Sequence, residues 1–358
     1  MKVLALNSSA RTEGQSKTEL MLRYLIEGMR EAGAEVEIVN LRDKKIKVCV
    51  GCFTCWTKTP GQCVHQDDMT KELFPKWLAA DICIYATPLF HHTINATMKI
   101  FIERTLPSLE PFLLESEDRW VHPLRHKQPA VVVLSVAGFP AMSAFNGLTH
   151  YVNFLFGEEE GRLLAEIYRP GAEYMDRADK MRNDILKATK SAGNELVKFR
   201  KVSPETLSRI EQPISNNLTE FAEVANCMWR TCIAEGITRK KFEKKDMIPR
   251  PDSLKTFMLM LSESFNSEGA KDTRAVLQYD FSGQVEGSCH FIIINGTINS
   301  EIGPAERPDL IIKTPFDIWT DIMTGKADGG QMFMEEKYKA EGDMDLLLNM
   351  TKFFGRND

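Results

Sequence analysis

The chain has 358 residues, 43% of them hydrophobic and 27% charged, with a formal net charge of -5; that exceeds one ordinary core of roughly 100–200 residues and is too apolar for disorder, so two globular domains are expected. A weakly acidic chain lacks the broad cationic surface that phosphate backbones require, which excludes a dedicated nucleic-acid partner. No apolar run approaches the ~18 residues of a membrane span, and the opening Met1-Lys2-Val3-Leu4-Ala5-Leu6-Asn7 turns polar before an apolar leader forms, so a cytoplasmic protein is expected.

Over the first 170 residues short β-rich runs alternate with helical ones, the pattern of a parallel sheet covered on both faces. Residues 3–6 predict the first strand. Leu20, Leu22, Leu25, Ile26 and Met29 form a helical stripe within 16–32, and Gly33 stands where a C-terminal cap belongs. Residues 35–41 predict the second strand. The next helix begins near the capping carboxylates Asp67 and Asp68, runs through Leu73 and Trp77, and gives way to a strand at 82–86. A further helix covers 95–105, and 130–136 and 163–168 predict the fourth and fifth strands. The expected fold class is α/β, a flavodoxin-like doubly wound five-stranded parallel sheet.

Residues 176–239 read as a helical bridge, broken at Ser203-Pro204 and Gln212-Pro213. The charge-dense stretch 239–250 ends in proline and marks a boundary; a solvated linker is the plain reading and a contact for anionic lipid the sharper one. Beyond Pro251 a helix at 253–265, strands at 275–280, 287–294 and 310–313, and helices at 315–323 and 344–354 predict an α+β domain. The expected domains are thus 1–202, 203–250 and 251–358.

Three loops and one cysteine run carry chemistry. Between the first strand and helix, Asn7 to Thr18 places the hydroxyls of Ser9 and Ser16, the Arg11 guanidinium and the Gln15 amide beside a helix start, where free N–H groups and the peptide dipoles favour a phosphate. Neither GxxxxGK[ST] nor GxGxxG is present, and an ordinary polar turn is the bland alternative. Thr87-Pro88-Leu89-Phe90-His91-His92-Thr93 and Ala137-Gly138-Phe139-Pro140 follow strands three and four, at the crevice where strand order reverses. Cys49, Cys52, Cys55 and Cys63 fall within fifteen residues. In a compartment that keeps thiols reduced, such clustering argues for metal or redox work. An iron–sulfur cluster, zinc, or a metal-free loop shaped by Trp56 and Pro60 are the readings left open. Cys83, Cys227, Cys232 and Cys289 stand in apolar surroundings and are expected to pack as small hydrophobes.

These residues carry resemblances. Asn7-Ser8-Ser9-Ala10-Arg11-x-x-Gly14-Gln15-Ser16 resembles the N-G-S-P-R-x-x-G-N-T form of NADPH-dependent FMN reductases and their flavodoxin-fold relatives. ATPLFHHTINATMKIFIERT resembles that family's second flavin loop and following helix, ending in Lys99 and Glu103-Arg104. The resemblance implies that Ser9, Arg11, Gln15 and Ser16 hold the FMN phosphate, and that Thr87, Pro88, Leu89, Phe90, His91 and His92 together with Ala137, Gly138 and Phe139 border the isoalloxazine. Ser8 and Ala10 depart from the usual Gly and Pro, and Phe90-His91-His92 from the commoner Tyr and small residues. The chemistry is flavin-centred; His91 and His92 are the side chains placed to donate to the reduced ring or bind substrate, packing or exposure being the alternative.

The cysteine run resembles that of the iron-sulfur flavoproteins, which hold a 4Fe-4S cluster and often continue into Asp-Asp, as at Asp67-Asp68. Residues 275–354 resemble the sterol carrier protein type 2 family, through Phe281-Ser282-Gly283, PDLIIK, DIW…MTG and Lys339-x-x-Gly342-Asp343. That implies an apolar lipid tunnel, for which Phe316, Ile318, Trp319, Ile322, Met323, Met332, Met334, Leu346, Leu347 and Met350 are the candidate lining, ordinary core being the alternative. The implied activity is an FMN-dependent NAD(P)H oxidoreductase passing electrons to a small or hydrophobic, quinone- or lipid-like acceptor, with the 4Fe-4S cluster as a further carrier. Its rivals are an electron-transfer protein fed by a ferredoxin-like partner and a lipid carrier with a scaffold flavodoxin domain. The resemblance also implies a homo-oligomer.

Overall fold

The computed structural model describes residues 1–354 apart from 13, 117, 118, 158–160 and 178. Positions 355–358, with which the third expected domain ends, lie outside the described residues, as do Glu13 of the first loop and Ala178 of the helical stretch. The chain divides into two compact units, Met1–Asn216 and Asn217–Asp358.

The first unit runs β1 (Lys2–Asn7), α1 (Lys17–Glu31), β2 (Glu35–Asn40), α2 (Phe74–Ala79, entered through a wide turn at Met69–Leu73), β3 (Ile82–Pro88), α3 (Ala96–Glu103), the hairpin β4 (Leu114–Ser116) and β5 (Arg119–Val121), β6 (Ala130–Val136), α4 (Asn146–Phe156), β7 (Leu163–Arg169), α5 (Asp179–Phe199) and α6 (Pro204–Glu211). Strand order is β2-β1-β3-β6-β7, all parallel, with Val3 opposite Val36 and Ile82, and Ile82 opposite Ala130. This is the flavodoxin-like winding, whose switch point falls between β1 and β3.

Central strands read as unbroken apolar runs because helices cover both faces; every residue of β6 is buried. On one face Val3, Ala5, Ile84 and Val132 pack with Leu25, Met29, Ile185 and Leu196 of α1 and α5. On the other, Leu4, Leu6, Tyr85 and Val133 pack with Trp77, Phe101, Leu148 and Val152 of α2, α3 and α4.

Helix α1 starts where Ser16 accepts from the Glu19 N–H and ends at Gly33, whose φ of +92° permits the closing bonds from Gly33 N to Arg30 O and from Ala34 N to Met29 O. Against α5 it packs through two glycines. A Cβ on Gly28 would fall 1.8 Å from the Lys190 carbonyl oxygen, and one on Gly193 2.0 Å from that of Leu25. Beyond α5, the Glu195 carboxylate accepts from Ser203 N and the Thr206 hydroxyl, both at 2.6 Å. The buried Arg169 donates to the carbonyls of Ile210 and Gln212 at 2.9 and 2.6 Å, a cation at the negative end of α6. Burial without a facing carboxylate lowers this guanidinium to about 10.

The second unit contains α7 (Leu218–Ala234), α8 (Arg239–Lys244), α9 (Leu254–Glu263), β8 (Arg274–Ser282), β9 (Gly287–Ile294), β10 (Thr297–Ile302), β11 (Leu310–Pro315), α10 (Phe316–Met323), α11 (Gly329–Met334), β12 (Lys339–Gly342), α12 (Met344–Leu348) and α13 (Met350–Phe354). Its mixed sheet has the order β10-β9-β8-β11-β12, with β8 and β11 its parallel pair. Phe257 of α9 stands edge-on to Tyr279 and Phe281, with centroids at 5.1 and 4.9 Å. Phe316 and Trp319 join this core, and Ile322, Met323, Met332, Leu346, Leu347 and Met350 pack partly buried against it. Met334 is 79% exposed and therefore does not line the interior as expected. Residues 239–244, read as linker, form α8, whose Phe242 is buried against Met228 and Cys232. The single closing helix expected at 344–354 is two short ones, divided at Asn349. Among the described residues no helix is long and apolar enough to cross a membrane.

Candidate active site

Four loops meet at the carboxyl edge of the parallel sheet. In the first, the Ser16 hydroxyl donates to that of Ser9 at 2.8 Å, and both serines are buried. Ser9 Oγ also accepts from Arg11 N at 3.3 Å. The hydroxyls thus line the amino end of α1, whose first-turn N–H groups have no intrahelical acceptor. Arg11 and Gln15 are exposed. Arg11 pairs with Glu173 at 2.5 Å, Lys17 with Asp176, and Arg42 donates to the carbonyls of Ser9 and Arg11 at 3.3 and 3.2 Å.

The second loop is tied to the first by Asn95. Its side chain caps α3 by accepting from Met98 N and donates to Ser8 O at 2.7 Å. Thr87 is buried, its hydroxyl accepting from Asn95 N at 3.2 Å, while Leu89 N donates to Val136 O at 3.0 Å. Phe90 and Thr93 exchange both backbone bonds at 3.0 Å around His91 and His92, whose φ values are 47° and 62°. Two left-handed central residues are what a type I′ turn demands, and the usual occupants are Asn and Gly. His92 is held there: its Nδ1 donates to Ala144 O at 2.9 Å, its ring stacks on Phe139 at 5.4 Å, and a Cβ on Gly147 would fall 2.8 Å from its carbonyl oxygen. His91 carries the strain without such support. Replacing His91 with Asn, which tolerates the left-handed region, is expected to stabilise the chain by roughly 1 kcal/mol. Thermal unfolding checks this, and an unchanged or lower midpoint would show the turn to be unstrained.

The third loop places Ala137 in the interior and Gly138 and Phe139 at the surface. The segment after β7 closes over it, with Gly171 N to Phe139 O at 2.7 Å and Ala172 N to Ala137 O at 2.9 Å. The expected residues of all three loops therefore lie at one edge of the sheet, after the neighbouring strands β1, β3 and β6. Sequence reasoning missed Asn95, whose place before an apolar helical run is an N-cap signal, and Glu173, whose distance along the chain left none. Hydroxyls, free helix N–H groups and the Arg11 guanidinium are a donor set whose chemistry suits an anionic ligand, and Arg11 shows its carboxylate-binding capacity in the pair with Glu173.

A second concavity lies in the segment between β2 and α2. It is lined by Cys49, Cys52, Cys55 and Cys63 with Val50, Phe53, Val64, His65, Arg104, Leu106 and Pro107 among its walls. The segment is clasped at both ends by carboxylates: Asp68 accepts from Lys45 N at 2.7 Å and Asp67 from Lys47 N at 2.9 Å. Asp67 is also the residue that caps the turn ahead, through Thr70 N at 3.2 Å; Asp68 makes no side-chain cap, contrary to the shared role expected of the pair. Arg104, fully buried, donates to Asp67 at 2.7 and 3.1 Å and to Lys47 O at 2.6 Å. Burial acts to raise the Asp67 carboxyl, but bonds from Arg104, Lys47 and Thr70 outweigh it and hold it at about 2. Trp56 donates to Leu106 O at 3.2 Å and packs between Phe53 and His122 at 5.1 and 4.7 Å.

Hydrogen bonds from Thr54 lower the exposed Cys52 thiol, whereas burial and then the neighbouring Cys63 push Cys55 up. Four thiolates held together need a compensating cation. Among the described residues no three His, Cys, Asp or Glu side chains gather as ligands of one metal ion. A 4Fe-4S cluster spreads its thiolates over separate irons and fits four thiols set around one concavity. The other four cysteines are buried, as expected.

Known proteins share these features in pieces. An iron-sulfur flavoprotein of Archaeoglobus fulgidus is 38% identical over 107 residues, 30% of this chain and 46% of that protein. One of Methanocaldococcus jannaschii is 32% identical over 117 residues, 33% and 58% of the two chains. The match thus spans about half the length of these curated relatives. An FMN-dependent NADH:quinone oxidoreductase of Pelagibacter ubique is 25% identical over 209 residues, 55% of this chain and 98% of that one. Residues 1–157 match the family described as NADPH-dependent FMN reductase and residues 258–355 the SCP-2 sterol transfer family, so this chain joins in one polypeptide the two family segments that its motifs resemble.

Proposed function

We propose that the chain is an FMN-dependent oxidoreductase that takes electrons from a reduced nicotinamide and delivers them to a small or hydrophobic, quinone- or lipid-like acceptor, with a 4Fe-4S cluster on Cys49, Cys52, Cys55 and Cys63 as a further carrier. The observation that carries this reading is the buried Ser9–Ser16 hydroxyl pair at the amino end of α1, on the loop that Asn95 ties to the loop carrying the left-handed His91-His92 turn, where strand order reverses. Bound FMN would supply hydride and single-electron chemistry. The residues of the chain bind and orient: Ser9, Arg11, Gln15 and Ser16 hold the phosphate, and the Thr87–His92 and Ala137–Phe139 backbones border the ring. The exposed rings of Phe90 and Phe139 offer an apolar rim to an acceptor. The match of residues 258–355 to a sterol transfer family supports a hydrophobic molecule in the second unit.

Titrating the full chain with FMN tests the core of the reading. One equivalent is expected to bind, and riboflavin at least roughly 10-fold more weakly, because each charge-assisted bond to the missing phosphate contributes about 1.5–3 kcal/mol. No binding at high micromolar FMN would overturn it. Arg11→Ala is expected to weaken FMN about 3- to 10-fold and leave riboflavin unchanged, a modest loss because Arg11 is exposed and already paired. Bleaching of the bound flavin by NADH or NADPH in stopped flow identifies the donor. Exposed Cys52 with Val48, Val50 and Phe53 around it favours, as a second reading, a ferredoxin-like protein donor; fast reduction by reduced ferredoxin with both nicotinamides inert would select it.

A further inference from the structure

A buried N–H without an acceptor is costly and rare in a native interior, so each one asks what it is waiting for. His65 follows the last cysteine of the run by two positions, and its ring lines the concavity that the four thiols share. Its Nε2 is buried with no hydrogen-bond partner. Arg104, on the wall of the same concavity, likewise has its Nε buried without a partner, while the rest of its guanidinium is engaged by Asp67, Lys47 O and Thr70 and lies within reach of Cys63. Arg104 Nε–H is thus a donor beside sulfur, and His65 Nε2 is one in its Nε2-protonated tautomer, in surroundings otherwise apolar: Val50, Phe53, Val64, Leu106 and Pro107. Carboxylate acceptors are already committed. Asp67 faces Arg104, and Glu103 is paired with Lys99 at 2.7 Å.

The acceptor that such donors fit is the one the thiols would bring with them. Thiolate and sulfide sulfurs of a cluster carry negative charge that increases on reduction, and hydrogen bonds to them stabilise the reduced state and raise the reduction potential. We propose that His65 is a hydrogen-bond donor to the sulfurs of a 4Fe-4S cluster held by Cys49, Cys52, Cys55 and Cys63, and that it sets the cluster's potential upward. This rests on the cluster reading given above. His65 is a positioning and tuning residue here, not a ligand; iron coordination stays with the four thiolates.

The test uses the full chain, reconstituted anaerobically with ferrous iron and sulfide. It compares wild type with His65→Phe, which keeps a ring and removes the N–H, and His65→Gln, whose amide nitrogen lies near the Nε2 position. Iron content, the potential from a dye-mediated titration followed by electron paramagnetic resonance at one fixed pH, and the unfolding midpoint of the iron-free chain are read for each. The expected result is four irons in all three, a more negative potential in His65→Phe, and a return toward wild type in His65→Gln. The iron-free His65→Phe chain should be at least as stable as wild type, since an unsatisfied buried polar nitrogen has been replaced by an apolar ring of similar shape. Equal potentials with four irons in every variant would overturn the assignment while leaving the cluster in place. Loss of iron in His65→Phe would overturn it in favour of a coordinating histidine. A wild-type chain that takes up no iron would remove the cluster reading itself, and the proposal with it.

Discussion

Gly193→Ala is expected to lower the stability of the first unit by at least about 3 kcal/mol, the upper end of what overpacking costs. The new Cβ would sit 2.0 Å from the Leu25 carbonyl oxygen and 2.9 Å from Met29 N. Both are backbone atoms of α1, so no side chain can rotate aside and the two helices must part. Separation would loosen Leu25, Met29, Ala192 and Leu196 together, all of them buried in the same core. For a unit of this size the loss corresponds to a fall of roughly 6–12 °C in its thermal transition. Calorimetry on the full chain checks it, because the transition of the second unit should stay where it was. Gly28→Ala should behave alike, and the double variant should cost much less than twice as much, since both substitutions prise apart one contact. A shift within a degree or two would mean that α1 and α5 do not cross this closely.

Arg104→Met carries the second large effect. It leaves the Asp67 carboxylate buried without its cation, a change that typically costs about 3–5 kcal/mol. A joint replacement, Asp67→Leu with Arg104→Met, should recover much of that loss, because an apolar pair asks for no compensation. Acid gives an independent reading. The Asp67 carboxyl is held at about 2 in the folded chain against an ordinary 3.8, so between these values the unfolded chain binds the extra proton and stability rises with pH. The contribution, about 2 kcal/mol, is complete above pH ~5 and is lost as the pH falls toward 2. In Arg104→Met that part of the acid dependence should vanish. Urea unfolding at a series of pH values distinguishes the outcomes; an unchanged slope between pH 2 and 4 would assign the acid sensitivity to other carboxylates.

Much of the first unit could be read directly from residues. Its central strands are short apolar runs between polar turns, and the crevice follows from where those strands end and where strand order reverses. The loop chemistry was visible too, because hydroxyls before a helix and four clustered thiols are local patterns. What escaped was non-local or weakly patterned. Gly28 and Gly193 look like poor helix residues until their backbones are seen to touch. Glu173 reaches Arg11 across 162 positions, and the pairing of Asp67 with Arg104 joins a turn to the far end of α3. In the second unit β10 and β12 went unseen since both are edge strands: TINSEI is half polar, and Lys339–Gly342 is four residues long and largely exposed. The Asn295-Gly296 pair that joins β9 to β10, with φ of 48° and 78°, is nevertheless a local hairpin signal.

The carboxylate clasp on residues 45–68 bears on what binding the proposed cluster would cost that loop. A stretch of such length normally surrenders conformational freedom at the moment it wraps an inorganic guest, and the guest's affinity is diminished accordingly. Here Asp67 and Asp68 hold the two ends together through backbone amides of Lys47 and Lys45, bonds that need no contribution from the thiols. Much of the ordering is thereby settled by folding itself, so that the proposed cluster would owe less of its binding energy to restraining the chain.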